Sequence, residues 1–123
     1  MVVERPSAGA WNAWRRWAKH IPVHLSEADL HRANLCRADF SDARLREAAL
    51  RNADARDASF AGADLVHADF SGSNLEGASL VRASLYRTIL HGIKDTGAVI
   101  PNRAITLGTD GERARAEHFT PPY

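Results

Sequence analysis

Residues 28–42 read ADLHR ANLCR ADFSD, three units of five in which a small residue is followed by Asp or Asn and then by Leu or Phe. Outward from this stretch the apolar position recurs at Leu25, Leu30, Leu35, Phe40, Leu45, Leu50, Ala55, Phe60, Leu65, Phe70, Leu75, Leu80, Leu85 and Leu90, with Ala55 the one dilution. Two residues before it stands a small side chain, from Ala28, Ala33, Ala38 and Ala43 through Ser73 to Ala78, Ala83 and Thr88. Self-similarity at a fixed short period marks a solenoid. Propensity alone points elsewhere, because Ala, Leu, Arg and Glu are strong helix formers. Periodicity overrides it: five residues advance an α-helix by about 140°, so the leucines would wander round every side and form no stripe.

An extended backbone does fit. Side chains alternate along it, so Ala28 and Leu30 point to one side and Asp29 to the other, which makes three residues a short straight wall. The two remaining residues must turn a corner before the next unit can present its own pair inward. Ser41-Asp42, Asn52, Ala61-Gly62, Ser71-Gly72 and Glu76-Gly77 are turn-friendly at these places.

The unit A-(D/N)-(L/F)-x-x, carried by ADLHR, ANLCR, ADFSD, ADLVH and ADFSG, resembles the pentapeptide-repeat family over residues 23–92. The resemblance implies an all-β solenoid, a right-handed quadrilateral β-helix of about four coils, each near twenty residues and about 4.8 Å from the next. Four units per coil then predict columns Leu30/Leu50/Phe70/Leu90, Leu35/Ala55/Leu75, Phe40/Phe60/Leu80/Ile100 and Leu25/Leu45/Leu65/Leu85/Ile105. Ala55 thins its column, with Phe60 of the next wall available to fill it. Arg44 and Ala49 replace the usual Asp or Asn, the pattern fails at Asp95, and 98–100 and 103–105 read as two degraded walls.

Open solenoid ends need covering. The chain divides accordingly into an N-terminal capping helix within 1–22, repeats over 23–105, and a C-terminal helical tail or cap over 106–123. Residues 8–20 read as the helix, with Ser7 at its start, Pro22 at its stop, and the three tryptophans Trp11, Trp14 and Trp17 laid over the first coil. Arg15, Arg16 and Lys19 are then expected in solvent. Thr109-Asp110-Gly111-Glu112 resembles a capping box for a helix of about two turns, suited to covering the far end or to pairing two copies.

With 123 residues, 45% of them apolar, one domain suffices. The formal charge of +1 announces no strong electrostatic partner, no apolar run is long enough to span a bilayer, and the first ten residues lack a secretion signal. Lone Cys36 has no internal disulfide partner, which together with the missing signal favours the cytoplasm. No catalytic, cofactor or metal site is expected. His31 and His91 share a column but stand three coils, about 14 Å, apart. Glu27, Glu47, His67 and Arg87 stack as a solvated salt-bridge ladder. The resulting expectation is a non-enzymatic scaffold or protein-interaction module for a partner the sequence does not identify. Its candidate strip is formed by Ala61 and Val81 on one corner and Val66 and Tyr86 on the next. Two alternatives follow. Some members of the family mimic DNA at a type II topoisomerase, but a rod near 18 Å long would need on the order of ten net negatives. The repeats hold ten acids against eight arginines. The other alternative is membrane or nucleic-acid contact through the basic Trp-rich helix, with nothing in the repeats favouring nucleic acid.

Overall fold

The computed structural model describes residues 8–107. From His24 onward, every fifth residue forms a parallel bridge with the residue twenty positions later: His24 with Arg44, Asp29 with Ala49, Asn34 with Asp54, Asp39 with Ser59, and so on to Ser79 with Val99. A coil therefore takes twenty residues and has four walls. Wall 1 contains 23–25, 43–45, 63–65 and 83–85. Walls 2, 3 and 4 follow at steps of five. Leu30 and Leu50 lie on one side, joined by Leu30 N–H to the Ala49 carbonyl at 2.7 Å and Ala49 N–H to the Ala28 carbonyl at 2.9 Å. Each bridge is flanked at once by turns, so the walls never lengthen into continuous strands among the described residues.

The corners explain why. From Leu25 to Leu85, the carbonyl of the apolar residue accepts from the N–H three residues on, as in Ala33 N–H to Leu30 O at 3.1 Å. The second corner residue has a positive φ throughout, at Glu27, Arg32, Arg37 and Asp42 as at Gly62 and Gly72. That is a type II geometry, which ordinarily selects Gly or Asn. Here the left-handed twist aims the corner N–H along the axis: Arg32 N–H reaches the Arg51 carbonyl of the next coil at 2.8 Å. From Glu27 to Gly77 each strained corner thus adds an intercoil hydrogen bond. The recurrent Asp or Asn serves the same corner, because its side chain accepts from the N–H two residues later. Asp69 to Ser71 N–H at 2.8 Å and Asn74 to Glu76 N–H at 3.0 Å are examples.

Gly72 sits where a β-carbon would come within 2.2 Å of Asn52 Oδ1, at φ +71°. The Asn52 side chain can yield, so the conformational term dominates. Gly72→Ala is expected to destabilise by about 1–2 kcal/mol in urea titration, whereas Arg82→Ala, where a β-carbon already occupies the left-handed corner, should stay within about 0.5 kcal/mol.

The interior is sealed from Ala43 to Leu80 by fully buried leucines, phenylalanines and alanines, while Leu25 and Leu30 at the first coil are only half-buried. Ala55 is fully buried too. Phe60, from the wall after it, and Phe70, from the wall opposite Phe60, meet edge to face at 5.4 Å, and Phe60 stacks on Phe40 at 5.5 Å. The hydroxyls that replace alanines inside are satisfied: Thr88 donates to the Leu65 carbonyl at 2.8 Å, and Ser73 to that of Leu50.

At the far end 98–100 forms the wall its place in the Ile100 column predicts, while Asp95 and 103–105 depart from the sequence pattern. Residues 93–95 and 98–100 continue walls 3 and 4 through the bridges Asn74 to Lys94 and Ser79 to Val99, so Asp95 does not break the coil. It pairs with Arg103. Residues Arg103–Ile105 form a turn of 3-10 helix, not a wall, and Leu107 takes the bridge to Ile89. Ile105 is half-buried and accepts from Arg87 N–H through its carbonyl at 2.7 Å. Pro101, which has no N–H, and left-handed Asn102 turn the chain there. The expected tail helix and Ser7 lie outside the described residues.

Candidate interaction surface

At the N-terminal end lies helix α1, Ala8–Trp17, three residues shorter than its spacing predicts. Ala18 is buried, and its N–H still reaches the Trp14 carbonyl at 2.8 Å. Trp11 packs at a tilt against Phe40 with centroids 5.1 Å apart, which extends the aromatic series of the core, and Trp14 lies 5.3 Å from Trp11. Trp17 departs from the expected lid: it is 82% exposed. Counted at about 100° per residue it lies far round the helix from Trp11, because a spacing of six is not a facing one.

The inner side of α1 meets the backbone of the first coil. In wall 4 of later coils the N–H and carbonyl of the middle residue, and the next corner carbonyl, bond to neighbouring backbone, as Ser59 N–H does to Ala38 O at 2.9 Å. For Asp39 that preceding coil is absent, and side chains take its place. Asp39 N–H donates to Asn12 Oδ1 at 2.8 Å, the Asp39 carbonyl accepts from Trp11 Nε1 at 2.7 Å, and the Ser41 carbonyl accepts from Arg15. Asn12 also donates to the Arg37 carbonyl at 2.8 Å. Arg15 is consequently half-buried, against the expectation that it points to solvent; Arg16 and Lys19 are exposed. Nothing in the hydrophobic spacing signalled Asn12 or Arg15, whose roles depend on where the open ladder ends.

Along the rod, the candidate strip divides. Ala61 and Val81 stack on the corner between walls 4 and 1, with Gly62 N–H to Val81 O at 2.9 Å joining the two corners, and Val81 is 37% exposed. Val66 and Tyr86 occupy the corner after wall 1, both half-buried, Tyr86 packed edge-on against His67 at 5.8 Å. Between the corners runs the polar row Arg44, Asp64, Ser84, so the four residues do not form one apolar surface. On its other side the Val81 corner is bordered by an uncharged row on wall 4: Ser59, Ser79 and Val99, the last 52% exposed. Val99 was hidden in sequence by its place in a segment read as degraded.

The remaining faces are charged and internally compensated. Arg46 pairs with Asp64 at 3.1 Å, Arg51 with Asp69 at 3.7 Å and Arg56 with Asp54 at 2.7 Å. His31 contacts Asp29 at 2.6 Å. The hydrogen bonds from Arg56 and His31 hold the carboxyls of Asp54 and Asp29 below the usual carboxylate range, and Asp54 in turn raises Arg56. Among the described residues no ion pair joins the stacked Glu27, Glu47, His67 and Arg87, because the acid–base pairs run from wall to corner. A hollow between α1 and wall 3 is lined by Asn12, Asn34, Cys36, Arg37, Asp54 and Arg56. Asp54 and Arg56, both in its lining, pair with each other. Among the described residues no three His, Cys, Asp or Glu side chains group to hold a metal ion, and no helix is long and apolar enough to cross a membrane.

The pentapeptide-repeats family model matches residues 24–60 and 56–92 in eight copies. Among solved structures, a pentapeptide repeat protein of the Arabidopsis thaliana thylakoid lumen is 33% identical, with a TM-score of 0.62 over 70% of this chain and 58% of that one. Another, from the cyanobacterium Cyanothece 51142, is 29% identical, with a TM-score of 0.57 over 77% of this chain and 65% of that one. The chain thus spans less than two thirds of the length of either. No curated protein matches it.

Proposed function

The chain belongs to the pentapeptide-repeat family, whose fold is a right-handed quadrilateral β-helix, and from that premise we propose that it is a non-enzymatic module that presents one uncharged band along the rod to a protein partner. The observation that carries this reading is the pair Val81 and Val99, large apolar side chains left exposed on a rod whose other outward positions are mostly charged or polar. With Ala61, Ser59 and Ser79 they make a straight uncharged band parallel to the axis, held on a backbone bonded coil to coil. A rigid band of this kind orders little on binding, which favours association. In the same reading the rod has about four coils and α1 is the cap of its first, a role supported by the three ladder groups its side chains satisfy.

Affinity capture from extracts of the source organism with wild type beside Val81→Asp/Val99→Asp tests the proposal. Both sites are exposed, so the variant is expected to melt within about 0.5 kcal/mol of wild type per site. Partner binding should weaken at least about tenfold, since an unpaired carboxylate would be desolvated in the contact. Equal capture of the same proteins by wild type and variant rejects the band.

A further inference from the structure

We propose that the outer face of α1 is a docking site for an anionic phospholipid surface, independent of the band on the rod. The inner side of the helix is used up by Trp11, Asn12, Arg15 and Ala18. At roughly 100° per residue, Ala10, Ala13, Trp14 and Trp17 fall together on a different side, and Ile21 follows them in the turn that closes from its N–H to the Ala18 carbonyl at 3.1 Å. All five are exposed, Trp17 by 82% and Ile21 by 48%. No charged residue lies within the stripe. A nearly bare indole on an ordered helix is a large apolar surface that the rod itself leaves uncovered.

Charge selects the occupant. Residues 8–26 hold Arg15, Arg16 and Lys19 and no acid; Arg16 and Lys19 are exposed, and Arg16 falls about 60° round the helix from Ala13, at the edge of the stripe. A second copy would bring the same net positive charge to the contact, which opposes self-pairing. The stripe is convex, built of two indoles, two alanines and an isoleucine, so it offers no groove for an ordered protein segment. An anionic bilayer supplies both complements at once: an interfacial layer in which indoles settle, and negative headgroups for the flanking cations.

Co-sedimentation of the full chain with phosphatidylcholine vesicles, with and without phosphatidylglycerol, reads the proposal directly. Binding is expected to the phosphatidylglycerol vesicles, to weaken with added salt, and to carry a blue shift of tryptophan emission. Trp17→Ala should lose roughly tenfold in affinity, and Arg16→Glu/Lys19→Glu on the order of thirtyfold. Neither touches the rod interior, so the β-rich circular dichroism should be unchanged. No sedimentation with either vesicle, or binding indifferent to Trp17→Ala, overturns the site. A Trp17-dependent dimer without vesicle binding would overturn it in favour of a second copy. Salt-sensitive binding to duplex DNA without vesicle binding would do so in favour of nucleic acid.

Discussion

Leu65→Asp is expected to abolish cooperative folding at neutral pH. Leu65 is fully buried between Leu45 and Leu85 in the same column. Around it the polar groups are already committed: its N–H donates to the Ser84 carbonyl at 3.0 Å, and its carbonyl accepts from Ala68 N–H at 2.9 Å and from the Thr88 hydroxyl at 2.8 Å. A carboxylate introduced there has no spare donor and no route to water. Two costs combine. Truncating a buried leucine costs about 2–5 kcal/mol, and an unpaired buried ion adds several kcal/mol more. Domains of this size are stable by only about 5–15 kcal/mol in total. Leu65→Ala, which incurs the first cost alone, should remain folded with a lower melting temperature. The aspartate variant should regain part of its loss in acid, because burial raises the carboxyl pKa in the folded rod and the neutral form is the cheaper one to bury. Circular dichroism melts at pH 7 and pH 4 separate these outcomes, and a Leu65→Asp protein melting within a few degrees of wild type at pH 7 would refute the packed-column description.

The columns were legible because a five-residue period is incompatible with a helical stripe, and four units to a coil bring Leu30 over Leu50 and Asp29 beside Ala49. The burial of Ala55 also follows from its register. What the pattern concealed was chemistry that depends on hydrogen-bond direction. The Asp or Asn of each unit looks like a solvent-facing choice, yet Asp69 and Asn74 are there to accept the corner N–H. Arg32 and Arg37 hold left-handed corners without being turn formers, since the intercoil bond made by a positive φ outweighs propensity. Likewise 103–105 carries the right residues for a wall but follows Pro101 and Asn102, and the chain turns before the register can continue. At the candidate band the column arithmetic found Ala61 and Val81, but it joined them to Val66 and Tyr86 across a row that Asp64 and Ser84 keep polar.

Removing the side chains that stand in for a missing coil should loosen one end of the rod and leave the rest intact. In Asn12→Ala the Asp39 N–H loses its acceptor, and an orphaned, partly buried donor costs about 1–3 kcal/mol. Trp11→Ala removes the donor to the Asp39 carbonyl and the ring on Phe40 together; for a half-buried indole the loss should be about 2–4 kcal/mol, toward the low end of large aromatic truncations. A solenoid holds each coil only through its neighbours, so this loss is not shared evenly along the axis. The double variant should therefore show fast amide exchange at Asp39, whose bond to Asn12 is gone, and weakened protection through 24–42. Leu65, Phe70 and Leu75, bonded to Ser84, Ile89 and Lys94 in the following coil, should keep theirs. The bared edge should also raise the tendency to aggregate, because it presents unpaired ladder groups beside half-buried Leu25 and Leu30. Uniform loss of protection from end to end would mean that the rod unfolds as one unit and that α1 is part of its core. Unchanged exchange at Asp39 in Asn12→Ala would mean that the side chain does not replace the absent strand, and the account of α1 as the terminator of the ladder would fall with it.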